Sequence, residues 1–243
     1  MGRQGARRSA RRPRPASRLR IAMYQFQFDD IAHYFGVLTS GIGYTLTITI
    51  VSFISATVIG LIVSQLRLSR IPPLVWLTSV YIDIFRCTPA LVQIVWIYYV
   101  LPILFKFSLS ALTAGILALS LNNGAFLAEI YRAGIQSIDP GQRDAARVLG
   151  LRRRETFLLV VLPQAVRRVL PAITSTAISL LKDSSLVSVL AVGELMYQGQ
   201  TVSSQTFRPL EVLTFVAVVY FILTYPLSLL NTYLERRYRV ADR

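Results

Sequence analysis

Three ionisable side chains, Asp83, Arg86 and Asp183, stand inside long apolar runs of this 243-residue chain. A charge at the centre of a bilayer costs about 2.5–3.5 kcal/mol on insertion scales, so each needs an opposite charge or a water-filled cavity. Two readings are open. Arg86 can pair with Asp83, and Lys182 with Asp183, as structural partners, or Arg86 and Asp183 can hold the two ends of a bound zwitterion. Thr176, Ser179 and Asp183 recur at helical spacing and share one face, which could line a polar path. Thr88 beside Arg86, and the amides of Gln93, Asn122 and Asn123, add groups that can read a polar solute or equally well hydrogen-bond between helices. This is the chemistry of recognition, with no covalent step. The single His33 and single Cys87 argue against a metal site and an intrachain disulfide, and no cofactor motif is present. No G-x-x-x-x-G-K-[ST] phosphate loop occurs, so ATP hydrolysis, if it drives the protein, belongs to another polypeptide.

The elements that carry these residues are membrane helices. At 53% hydrophobic and 16% charged residues, with a mean hydropathy of +0.52, the chain is too apolar for an ordinary soluble domain. Its formal charge of +14 does not mark a nucleic-acid binder, because the arginines sit between apolar runs. A span needs about 20 apolar residues. Five runs qualify, at about Leu38–Val63, Leu74–Leu101, Leu109–Ile130, Val169–Val192 and Val212–Leu234, giving an all-α membrane protein with its transmembrane domain over 38–234 and a basic tail over 235–243. Pro89 is expected to kink or unwind the second span. Counted from the cytoplasmic ends of their spans, Arg86 lies about 18 Å and Asp183 about 21 Å into the membrane, at similar depth.

Arginine placement sets the orientation. Arg67 and Arg70 follow the first span, eight arginines lie between Arg132 and Arg168, and Arg236, Arg237, Arg239 and Arg243 follow the fifth. These segments are expected in the cytoplasm, with the N-terminus periplasmic and the C-terminus cytoplasmic. Residues 1–37 are a lead-in whose first 22 residues hold eight arginines and no acid. On the outer side that arm violates the charge rule, so a translation start at Met23 is favoured over a disordered arm. Gly193 to Glu211, with Glu194, Gln198, Gln200 and Arg208, falls outside, where a protein partner could dock.

Between the third and fourth spans, Asp139-Pro140 supplies an N-cap and a first-turn proline for a surface helix ending near Gly150. Within it, Asp144-Ala145-Ala146-Arg147-Val148-Leu149-Gly150 is followed after nine residues by Val160-Val161-Leu162-Pro163. Ala145 and Ala146 leave little bulk on a helix face, and Gly150 permits the left-handed residue that turns the chain.

That pattern resembles the signature of permease subunits of binding-protein-dependent ABC importers, Glu-Ala-Ala, three residues, Gly, nine residues, Ile-x-Leu-Pro, with Asp144 and Val160 as mild departures. Phe85-Arg-Cys-Thr-Pro-Ala-Leu-Val-Gln, Glu129-Ile-Tyr-Arg-Ala-Gly and Leu181-Lys-Asp-Ser-Ser-Leu-Val-Ser resemble the polar amino-acid branch. The resemblance covers about Gly41 to Glu235. It implies a transport subunit, not an enzyme, in the bacterial inner membrane. ATP-binding cassette ATPase subunits would dock on the segment marked by Asp144, Ala145, Ala146, Gly150 and Pro163. A periplasmic solute-binding protein would deliver a polar amino acid, and a second permease, identical or homologous, would complete the pore within membrane lipid. The rival reading is an ion-coupled secondary transporter, which predicts inverted repeats that the sequence does not show.

Overall fold

The computed structural model describes residues 33–69 and 71–238, and every regular element among them is helical. The expectations for the basic arm, for Arg70 and for Arg239 and Arg243 lie outside the described residues. The first helix, α1, runs Phe35–Leu68 and buries Gly41, Thr45, Ser52, Ala56, Gly60 and Ser64. This stripe of small residues lets a neighbouring backbone come close, the usual basis of helix association in lipid. The neighbour is α4, Ala111–Gln136, which buries its own Gly115, Ala118, Gly124 and Ala128.

Between them the chain forms α2, Pro72–Cys87, and α3, Ala90–Phe105, two helices bent by 110° at the place where Pro89 was expected to kink or unwind the second span. The cause is Pro89, which has no N–H and drives the preceding Thr88 to an extended conformation, φ −111° and ψ 144°. The freed carbonyls do not go bare. Gln93 Nε2 donates to Phe85 O at 3.0 Å, Thr88 O at 3.1 Å and Thr88 Oγ1 at 2.6 Å. Asn122 Nδ2, from α4, donates to Phe85 O and to Gln93 Oε1, both at 3.0 Å.

Contact order along α1 and α4 fixes the number of crossings. Ser52 Oγ donates to Ile116 O, Gly60 lies against Leu127, and Arg67 pairs with Glu129, so the two helices run in the same direction. The bent α2–α3 pair must therefore carry the chain back across, making it one crossing despite its break.

After α4 comes α5, Pro140–Val148, then the short α6, Arg153–Glu155, a π-helical turn Thr156–Val161, and α7, Leu162–Asp183. The π turn precedes Pro163, whose ring would clash with a regular α-helical carbonyl four residues back; Leu162 N–H reaches Phe157 O instead. α7 runs opposite to α4, with Gly134 beside Val169 and Gly115 beside Val187. A 3₁₀ segment, Ser184–Leu190, leads to α8, Leu195–Thr206, and to α9, Pro209–Tyr238. Tyr220 of α9 reaches Glu194 while Thr232 and Arg236 lie near Pro171, so α9 runs opposite to α7. Five crossings result, and the two described ends lie on opposite faces. One face carries α5; the other carries α8.

Candidate functional site

α4 and α7 meet around a cavity of about 200 Å³ lined by Asn122, Asn123, Phe126, Ser175, Thr176, Ser179 and Asp183. Its size, below the roughly 300–1,000 Å³ of drug-sized pockets, suits a small solute. Four expected residues, Asn123, Thr176, Ser179 and Asp183, are thus brought together, the last three by their common face on α7. Asn123 Nδ2 donates to Leu119 O within its helix, and Thr176 Oγ1 to Ala172 O, orienting both side chains.

Arg86 stands just outside. Its guanidinium lies over the Phe126 ring, 5.5 Å from the centroid, and Phe126 in turn lines the cavity that holds Asp183. The ion pairs formed among the described residues are Arg67–Glu129, Arg132–Glu129, Arg147–Asp144 and Arg208–Glu211; neither Arg86–Asp83 nor Lys182–Asp183 is among them.

Thr88 and Gln93 lie in the break of the second crossing, where Gln93 is 8% exposed and its amide is bonded to that break. Asn122 belongs to both places, lining the cavity while its Nδ2 closes the break. A rearrangement of the joint therefore moves a cavity wall. Phe126 and Ser175 were not singled out from sequence. Phe126 falls three residues after Asn123, on the same face of α4, and that spacing was the available signal.

On the opposite faces the surface elements are built as follows. Asp139 caps α5 by accepting from Gly141 N–H at 2.6 Å, and Gly150 takes φ +79°, with Leu151 N–H closing on Ala146 O. Ala146 is buried against the protein itself, and Ala145 faces out. The two alanines therefore serve different faces, and Asp144 pairs with Arg147 on its own helix. Val148 and Leu149 project from the end of α5, 88% and 80% exposed. Pro163 begins α7 and is exposed. At the α8 face Glu194 is fully buried, not offered to a partner: its carboxylate accepts from Met196 N–H, Tyr197 N–H and Tyr220 O–H at 2.9, 2.7 and 2.9 Å. Burial pushes its pKa above the usual carboxylate range, against the lowering effect of those hydrogen bonds.

Residues 56–240 match the family of binding-protein-dependent transport system inner membrane components. The chain belongs to that family. This permease is 38% identical over 205 residues to the L-cystine transport system permease protein TcyB of Bacillus subtilis (strain 168), covering 84% of this chain and 87% of the relative. It is 37% identical over 221 residues to the glutamine transport system permease protein GlnP of Escherichia coli (strain K12), covering 89% and 99% of the two chains. Among solved structures it is similar to one described as an amino acid ABC transporter with histidines, at 36% identity and a TM-score of 0.82, covering 88% of this permease and all of that chain. The permease is a multi-pass membrane protein.

Proposed function

We propose that this permease is the membrane subunit of an ATP-driven importer for a small polar amino acid, with substrate passing through the cavity between α4 and α7. The carrying observation is that cavity itself: one carboxylate, Asp183, sits among the hydroxyls of Ser175, Thr176 and Ser179 and the amides of Asn122 and Asn123. A substrate ammonium is drawn to Asp183, and its carboxylate to the Arg86 side of Phe126. Hydroxyls and amides in the remaining wall suit a neutral polar side chain.

The α5 face is cytoplasmic in this reading, because Arg67, Arg132, Arg143, Arg147, Arg152 to Arg154, Arg167 and Arg168 collect there, and the end preceding α1 is periplasmic. ATPase subunits dock on α5, where Val148 and Leu149 supply exposed apolar contacts at the tip of a helix fixed by Asp139 and Gly150. ATP binding and closure of those subunits then pull on α5 and on the α4 and α7 ends flanking it. Asp83, Arg86 and Cys87 are exposed on α2 within the membrane, and a second permease covers that face and completes the path. A solute-binding protein delivers substrate at the α8 face.

Uptake of labelled polar amino acids into vesicles holding the assembled transporter tests this. Uptake requires ATP inside and the ATPase subunits, and Asp183→Asn raises the KM for substrate while leaving membrane insertion intact. Uptake that persists without nucleotide, or wild-type selectivity in Asp183→Asn, overturns the corresponding part.

A further inference from the structure

Arg86 carries its guanidinium on a long, flexible stem, yet it enters none of the ion pairs formed among the described residues. Asp83, three residues back on α2, is not joined to it, and Glu129 of α4 is already taken by Arg67 at 2.5 Å and Arg132 at 2.8 Å. What Arg86 does meet is a ring. Its Cζ lies 5.5 Å from the centroid of Phe126, within the distance at which a cation is drawn to an aromatic face.

The backbone beneath both groups is fixed by contacts that do not involve this ring. Tyr81 O–H donates to Leu121 O at 2.6 Å, Ile82 packs with Ala125 and Ala128, and Asn122 Nδ2 donates to Phe85 O at 3.0 Å. These ties set the register of α2 on α4. The Arg86 side chain therefore leaves the chain one residue past a carbonyl bound to Asn122, and Phe126 stands one helical turn from Asn122 on the same face. A fixed stem does not fix its end, because the torsions beyond Cβ keep their own rotamers. The Phe126 ring is the contact that settles where the charge sits. The same ring lines the cavity with Asp183 and is 38% exposed, and every other lining residue carries a hydroxyl, an amide or a carboxylate.

We propose that Phe126 is a positioning residue for substrate capture: its face seats the Arg86 guanidinium beside the cavity, where the carboxylate of an incoming amino acid meets it. This rests on the reading of the cavity as the amino-acid site and adds the residue that sets one end of the ligand. Ordering a long side chain at the moment of binding costs conformational freedom, so a cation seated beforehand holds the carboxylate more tightly than a mobile one. A ring contact also spends none of the guanidinium hydrogen bonds. The N–H donors lie in the guanidinium plane and stay available for a two-pronged grip on the carboxylate.

Equilibrium binding to the permease assembled with its ATPase subunits in lipid nanodiscs, with binding protein left out, tests the proposal. The probes are L-serine, L-threonine, L-asparagine and L-glutamine, each beside its α-amide, which keeps the ammonium and the side chain and lacks the carboxylate charge. For the tightest-binding pair, Phe126→Leu weakens the amino acid about fivefold, the scale of a cation–π contact, and leaves the α-amide unchanged. Phe126→Trp, which restores a ring face, returns the wild-type ratio of the two ligands. Arg86→Gln removes the preference for the amino acid, and adding Phe126→Leu to it lowers that preference no further. The same effect of Phe126→Leu on both ligands, or on neither, makes the ring a plain wall and overturns the proposal, as does a further loss of preference in the double variant. Asp183→Asn weakens amino acid and α-amide alike, because both carry the ammonium. If it weakens neither, or if the wild type binds none of the probes, the reading of the cavity as the amino-acid site falls and takes this inference with it.

Discussion

Gly60 of α1 faces Leu127 of α4 with no room for a methyl group: a Cβ there would lie 2.8 Å from the Leu127 Cβ and 3.2 Å from Gly124 O. The parallel pairing of α1 and α4 depends on that closeness. Gly60→Val separates the helices and lowers stability by about 1–3 kcal/mol, the usual cost of overpacking. Gly43→Ala, with nothing within 4 Å of its added methyl group, leaves stability unchanged or improves it. Thermal aggregation of the detergent-solubilised variants checks the pair, and a wild-type midpoint for Gly60→Val contradicts the packing argument.

At the broken crossing, Gln93→Leu removes the donor to Phe85 O and Thr88 O and the acceptor for Asn122. Leaving such groups buried and unpaired costs about 1–3 kcal/mol. The variant melts earlier, and because the released Asn122 also lines the cavity, the KM for uptake rises together with the loss of stability. A raised KM at wild-type stability assigns the amide to substrate instead.

Burial of Glu194 gives the protein a pH dependence. Burial raises its pKa in the fold above the value of about 4.3 for an unfolded chain, so the native state holds the proton more tightly. The stabilisation from protonated Glu194 is full below about pH 4.3 and is lost as pH rises through the higher native value. Melting temperature measured against pH therefore falls over that window in the wild type and flattens in Glu194→Gln. Identical slopes in the two proteins refute this role.

Gly150 holds φ +79°, which proline cannot adopt, and its N–H donates to Arg147 O at 2.9 Å. Gly150→Pro misdirects the end of α5. Expected is a protein that inserts normally and binds its partners more weakly, with substrate-stimulated ATP hydrolysis reduced at least tenfold. Assay of phosphate release with and without binding protein decides the matter, and full stimulation removes α5 from the coupling path.

Much of this architecture was legible because membrane helices declare themselves through local properties. Apolar run length marked the crossings, Asp139 with Pro140 marked the start of α5, and Gly150 its end. Pro89 announced an interruption, but a continuous apolar run on either side hid the 110° turn, since hydropathy carries no direction. The cavity was half visible. Thr176, Ser179 and Asp183 follow from one helix's periodicity, whereas Phe126 gains its place only from how α2 and α7 approach α4. Glu194 falls in the polar stretch between the last two spans, which points to an outer face open to a partner. Its burial depends on Tyr220, 26 residues on, and on the N-terminus of α8. Ala145 and Ala146 looked equivalent, yet adjacent helical residues point about 100° apart, and only one could face a partner.

The amide pair at the second crossing also ties two distant positions to one another. Asn122 and Gln93 each complete the other's bonding around the carbonyl of Phe85, 37 residues from Asn122 in the chain. Neither can be exchanged by itself without stranding its mate in the protein interior. Loss of Pro89, by restoring a continuous helix through Phe85 and Thr88, would remove the carbonyls that both amides serve.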